Sequence, residues 1–368
     1  MESKVQFGKW QATAILINAL CTQVFLSFPR HISNKVGTSG WMLILAAFLI
    51  SFLGFWIIIR LYKNFAGKDI LDIADEFGGK ISKILVGSLV LGFIIFLISI
   101  TLRQYTEYIK LIILPVSPIS FVTILFIVVM IFGAYFGIES LARFHVAVVP
   151  VIIVGFILIL VGVSEYFSLD NLHPLLGNGA GAIIKNSLPA VSIYSPILFL
   201  FMIIPFIKEG ECLKKSGYMG IFWATVCMVL SCVFYTGVVM YPNSSEYTLP
   251  FYHLSRLIDH GRFFQRIEAG FVFIWVAAAM LFLSTGLFLA AYIFKKMFDL
   301  EYYKPLIIPF AILILTMSLI PNSVMSATDV ELAYIGTYGG VFAFGITMVV
   351  LGVASLVKMR KCKAEDKA

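Results

Sequence analysis

Apolar runs long enough to cross a bilayer recur from one end of this chain to the other. A spanning helix needs about 20 mostly apolar residues at 1.5 Å of rise each. Such runs lie at 10–28, 41–61, 84–113, 118–137, 144–164, 188–207, 217–241, 267–294, 305–320 and 333–357, with short polar segments between them. In hydrocarbon every backbone amide must be satisfied within the protein, so runs of this length dictate helices. The expected fold is an all-α polytopic membrane protein of about ten spans, one transmembrane domain over residues 1–368. The third run would be about 45 Å long as one helix, so its ends rise above the bilayer or it tilts.

Charge supports this reading. Only 13% of the residues are charged and 60% are hydrophobic, with a mean hydropathy of +0.98. A soluble domain carries roughly 25% charged residues. The net charge of +7 is not gathered into a basic stripe interleaved with aromatics, so nucleic acid is not an expected partner. The positive charges instead sort by side. With a cytoplasmic N-terminus, about 19 Lys and Arg fall on the cytoplasmic side against about 8 outside, a positive-inside pattern. An even number of spans then places both termini in the cytoplasm. No small-residue cleavage site follows the first run, so it is read as a span and not as a signal peptide.

Residues that could carry chemistry are few. The five cysteines form no CxxC or Cys/His pair, so neither a disulfide framework nor a metal site is expected. No HExxH, GxSxG or Walker-type loop occurs, and no acidic residue is expected at mid-membrane. An enzyme, a cofactor and a proton-driven pump are all disfavoured. Charges near span ends are Arg30, Arg103, Glu107, Arg266 and Glu268, with His145 at a span edge. Arg103 and Glu107 are four apart and can pair on one helix face. Two longer loops, 165–187 and 242–266, read as connectors or as a lid; the second contains an amphipathic piece from Tyr252 to Ile258.

Spans 1 and 6 are interrupted. Span 1 runs into Ser27-Phe28-Pro29-Arg30, and span 6 carries Pro189, Pro196 and Pro205 with Tyr194-Ser195 before the middle proline. Proline removes an amide donor and clashes with the preceding turn. Backbone groups freed at membrane depth must face a cavity, water or a ligand. Broken helices at matching positions of two halves are the mark of a transporter-type midplane site, here in a 5+5 inverted repeat. Simple proline kinks are the alternative, since no internal sequence repeat is evident.

The residues also resemble a known family. Leu26-Ser27-Phe28-Pro29-Arg30 followed by Gly40-Trp41 is similar to the B subunits of bacterial spore germination receptors. So are the segment from Asn171 to Gly179, Asn186-Ser187-Leu188, and Arg266-Ile267-Glu268 with Trp275. The resemblance covers essentially the whole chain. It implies an amino acid–polyamine–organocation transporter-like fold of the LeuT kind and a germinant-sensing role in the spore inner membrane. The implied partners are A and C subunits, the lipid bilayer and a small germinant (an amino acid, sugar or nucleoside). The chain has Thr22-Gln23-Val24 where relatives resembling alanine receptors carry Gly-x-Gly, and Phe199 where some carry an acid. Small residues let a ligand carboxylate approach helix-end amides closely. Their replacement argues against an alanine-like ligand and for a differently shaped pocket.

The expected ligand contacts are Thr22, Gln23, Val24 and Ser27 of span 1, Leu97 and Thr101 of span 3, Tyr194, Ser195 and Ile197 of span 6, and Leu281 and Ser284 of span 8. Pro29, Arg30, Arg103, Glu107, Arg266 and Glu268 are assigned to gating and coupling. Two other functions fit the same residues: an amino-acid permease, and an assembly subunit without a ligand.

Overall fold

A computed structural model of the chain describes residues 6–208, 210–258 and 267–365. Thirteen α-helices run in order: α1 Lys9–Cys21, α2 Phe28–Val36, α3 Gly40–Tyr62, α4 Ile70–Ile112, α5 Ile119–Gly162, α6 Ala180–Ala190, α7 Ile197–Met202, α8 Gly210–Val238, α9 Pro250–Leu257, α10 Ile267–Met297, α11 Ile307–Ser318, α12 Val324–Val330 and α13 Gly336–Glu365. Among the described residues six segments are long and apolar enough to cross a membrane, and Lys304–Ser318 adds a shorter one. The ten-span count emerges once the interrupted helices are read correctly.

The two longest helices differ from the sequence expectation. Spans 4 and 5 have no loop between them: α5 runs Ile119–Gly162, broken only at Gly137, where φ is +82°. A residue with a Cβ resists that backbone, and glycine accepts it freely. Likewise α4 starts earlier than the third apolar run, and Gly79, at φ +64°, separates its first turns from the spanning part. The extra length is thus a short amphipathic segment joined through a glycine. Span 6 also starts earlier, with α6 at Ala180 inside the expected loop.

Two groups of helices can be separated by their contacts. Helices α4, α5, α10 and α11 pack on one another, while α1, α3, α6, α8 and α13 form the second group; α1 touches α5, and α13 touches α4. At one end α10 is fastened to the start of α4. Lys296 Nζ bonds Asp69 Oδ2 at 2.5 Å and Asp72 Oδ2 at 2.6 Å, and Lys83 pairs with Asp299. Asp69 also caps α4, accepting from the amides of Leu71 and Asp72. Residues ahead of α1 meet the end of span 6 at the same end, through Phe7 N to Phe206 O at 2.9 Å and Lys208 N to Phe7 O at 3.2 Å. The beginning of span 1 and the end of span 6 are therefore held together.

Candidate functional site

The interruptions fall where the prolines put them. Helix α1 ends at Cys21, Thr22–Phe25 tightens into a 3₁₀ turn, and α2 restarts at Phe28 with Pro29 in its first turn. Proline is tolerated there because a first-turn amide has no helical partner. In span 6, α6 ends at Ala190, Val191–Tyr194 forms a second 3₁₀ turn, and α7 begins after Pro196. A third irregularity faces them: Glu331–Ile335 is a π turn between α12 and α13. Such turns recur at functional sites.

A cavity of about 60 Å³ lies between these three interruptions. That is room for roughly four waters, taking ~15 Å³ for each. Its polar wall is Gln23, Ser27, His31, Lys35, Ser192 and Glu331, against Leu26, Ile193 and Ile335 among the apolar residues. His31 Nε2 and Ser27 Oγ are hydrogen-bonded at 2.7 Å. Helix α4 closes the back of the site. Tyr105 Oη donates to the Thr22 carbonyl at 2.9 Å, and Gln104 Nε2 donates to Glu331 Oε2 at 2.6 Å. Several buried polar atoms here have no hydrogen-bond partner among the described residues: Gln104 Oε1, Tyr108 Oη, Trp275 Nε1 and Ser195 Oγ. Buried groups in this state are rare and mark places where water or a ligand is accommodated.

Of the expected contacts, Gln23 and Ser27 reach the cavity wall. Thr22 Oγ1 is turned back onto the Asn18 carbonyl at 2.6 Å. Val24 lines a separate, smaller apolar pocket with Phe25, Phe156 and Cys227. Tyr194 shares a hydrogen bond with Thr225 of α8 at 2.7 Å. Ser195 is buried against Gly339 of α13. Ile197 is buried in α7 and Leu97 in α4, and Thr101 bonds the Leu97 carbonyl. Leu281 accepts from Thr285, while Ser284 lies against Gly133 of α5. These residues form the surrounding shell. Phe199 stacks on Phe282 at 5.3 Å, closing the side toward α10.

The coupling residues are spread out. Pro29 is buried in the first turn of α2, and Arg30 Nε donates to the Ser245 carbonyl at 2.8 Å, tying α2 to the loop before α9. Arg103 and Glu107 pair at 2.7 Å, as their spacing implies. Glu268 lines an apolar groove with Ile109, Phe126 and Tyr252. Arg266 lies outside the described residues. The amphipathic piece of the second long loop is α9, whose Phe251 is buried against Phe25 and Phe156 at ring distances of 6.0 and 5.4 Å.

Glu331 was not singled out by a sequence reading that expected no acid at mid-membrane. It sits inside the apolar segment Val324–Arg360 and lines the cavity. The tenth run was read from 333, nine residues after the helical segment starts at Val324. Ser323, which caps α12 by accepting from Ser326 N, is the sequence signal that carries the helix back past Glu331. Asn18 was also missed; its Nδ2 donates to the Ala278 carbonyl at 3.0 Å and links α1 to α10.

Comparison with known proteins agrees with this geometry. The structure of the nucleobase-cation-symport transporter Mhp1 with bromovinylhydantoin bound superposes with a TM-score of 0.64 at 15% identity, covering 89% of this chain and 75% of that one. A Na⁺-coupled sialic acid symporter gives 0.62 at 13% identity, over 95% and 79%. MhsT in complex with L-phenylalanine gives 0.58 at 14%, over 96% and 89%. The fold is that of the LeuT-type transporters, with spans 1 and 6 as its broken pair. In sequence, spore germination protein A2 of Bacillus subtilis (strain 168) is 26% identical over 342 residues, 89% of this chain and 91% of that protein. Spore germination protein B2 of the same strain is 22% identical over 281 residues, 75% of each. Residues 7–325 match the family model described as spore germination protein, and the chain, a multi-pass membrane protein, belongs to that family.

Proposed function

We propose that this chain is the germinant-sensing B subunit of a spore germination receptor. The observation that carries the reading is the cavity between the two interrupted spans and the π turn, walled by Gln23, Ser27, Ser192 and Glu331. Such a wall, mostly apolar with a few convergent polar groups, suits a small polar molecule. At about 60 Å³ the cavity is closed down, so binding requires the broken spans to part. A germinant that prefers the opened arrangement shifts the population toward it, and that shift is the signal passed to partner A and C subunits. The chain acts without chemical turnover, as a sensor and not an enzyme. Its place is the spore inner membrane, with both termini cytoplasmic.

The test uses spores challenged with single amino acids, sugars and nucleosides. Gln23→Leu and Ser27→Ala are expected to raise the germinant concentration needed by about tenfold, the equivalent of about 1.4 kcal/mol, with unchanged receptor abundance. Unchanged sensitivity overturns the cavity as the germinant site. Uptake by proteoliposomes separates the permease alternative: saturable accumulation of the germinant by the isolated chain rules out a pure sensor. Co-purification with the A and C subunits tests the partnership.

A further inference from the structure

Glu331 stands in the cavity wall with a single neutral partner. Its Oε2 accepts from Gln104 Nε2 at 2.6 Å, and that nitrogen also lies 3.4 Å from Thr328 Oγ1. Among the described residues no Lys, Arg or His is within ion-pair distance of it. On α4, Arg103 pairs with Glu107. On α2, Arg30 bonds the Ser245 carbonyl and His31 bonds Ser27, while His31 and Lys35 line the same cavity as Glu331 without forming an ion pair with it. The remaining titratable side chains around it are Tyr105 and Tyr108 of α4, with Asp329 and Tyr334 close in sequence on its own segment.

Gln104 is fully buried, and its Oε1 has no donor. An ionised carboxylate at membrane depth beside one neutral amide is unfavourable. So is a buried amide oxygen left without a hydrogen bond. One proton removes both defects. A neutral Glu331 has no charge to solvate, and its O–H can turn toward Gln104 Oε1, the unpartnered end of the amide it already bonds.

We propose that Glu331 carries an exchangeable proton at the cavity wall, held while it bonds Gln104 and released when water or a cationic group enters the cavity. Release leaves a charge facing the cavity and weakens the contact between α4 and the α12–α13 turn. Cavity occupancy and protonation then act on the same element, and by linkage each alters the other.

The test needs no knowledge of the germinant. The full-length protein in lipid nanodiscs is treated with dicyclohexylcarbodiimide, an apolar reagent that a protonated carboxyl adds across. The carboxyl oxygen bonds to the central carbon, and the proton moves to nitrogen. Peptide mapping by mass is expected to find the adduct on Glu331, absent in E331Q and absent from Glu107 in its ion pair. Its yield should fall about tenfold per pH unit above the midpoint, as the protonated fraction does. E331Q keeps an amide able to bond Gln104, and is expected to fold. Infrared difference spectra of wild type against E331Q cover the case in which the reagent does not reach the site. A protonated-carboxyl band lost in E331Q and shrinking as pH rises supports the proposal. Absence of both adduct and band overturns it, and so does an adduct or band indifferent to pH. Failure of germinant binding would leave this result standing, and a missing proton would leave the germinant reading standing.

Discussion

The hydroxyl of Tyr105 donates to the carbonyl of Thr22 at 2.9 Å, so α4 adds a side-chain hydrogen bond where the α-helical ladder of α1 ends. Thr22 begins the 3₁₀ turn of span 1, where the helical ladder stops. A carbonyl that leaves the α-helical ladder there finds no partner in lipid. Tyr105→Phe keeps the ring against Trp275, 5.1 Å away, and removes only the donor. The expected loss is about 1–3 kcal/mol, read as a lower midpoint in thermal unfolding of the solubilised protein. An unchanged midpoint would show that water already serves this carbonyl.

Gly340 is where α13 comes closest to the break in span 6. A Cβ there would sit 2.5 Å from Ser192 N and 2.6 Å from the Val191 carbonyl oxygen, and Gly340 N donates to Ser192 Oγ at 3.1 Å. Backbone atoms cannot turn aside as a side chain does. Gly340→Ala is expected to cost about 1–3 kcal/mol through overpacking and to alter germinant sensitivity, because the displaced turn forms the cavity wall. Gly345→Ala, with nothing within 4 Å of its Cβ, serves as the matched control.

The cluster at the opposite end titrates. Burial pushes the Asp69 carboxyl up to about 6, with Lys296 opposing the rise and Asp72, which shares that ammonium, adding to it. A folded-state pKa above the unfolded value means that the folded protein binds the proton more tightly. This contribution to stability is fully present below about pH 4 and is lost as pH rises through about 6. Asp69→Asn keeps a good helix cap and removes the titration. The difference in unfolding midpoint between Asp69→Asn and wild type should therefore change between about pH 4 and 6 and be flat above it. A constant difference across that window would refute the assignment.

Phe251 couples the loop helix α9 to the first interrupted span through Phe25. Phe251→Ala opens a void at a fully buried position, and the expected cost is about 3–5 kcal/mol. Phe251→Leu should restore most of the stability. If α9 is a lid over span 1, both variants also speed the germination response; a response rate equal to wild type would leave α9 a connector.

The run lengths alone determined that this chain crosses a membrane as about ten helices, because backbone amides in lipid have no partner outside the protein. The prolines at 29, 189, 196 and 205 marked where spans 1 and 6 break, since a missing donor is a local property. The Arg103–Glu107 pair was legible for the same reason, being four residues apart on one helix. The rest was decided in three dimensions. Nothing local distinguishes a Gly137 that splits one long helix from a loop between two, because only its φ of +82° does so. Thr22, Tyr194 and Ser284 look like ligand contacts in a linear reading, yet their hydroxyls are taken up by or turned toward Asn18, Thr225 and Gly133. Glu331, just ahead of the tenth run in a linear reading, is carried by the turn before α13 against Gln104, 227 residues away in sequence. Partners so distant are brought together by how helices pack, and periodicity within one helix carries no record of them. The ten spans with which the sequence begins thus become a scaffold around one small polar cavity, which only their assembly could create.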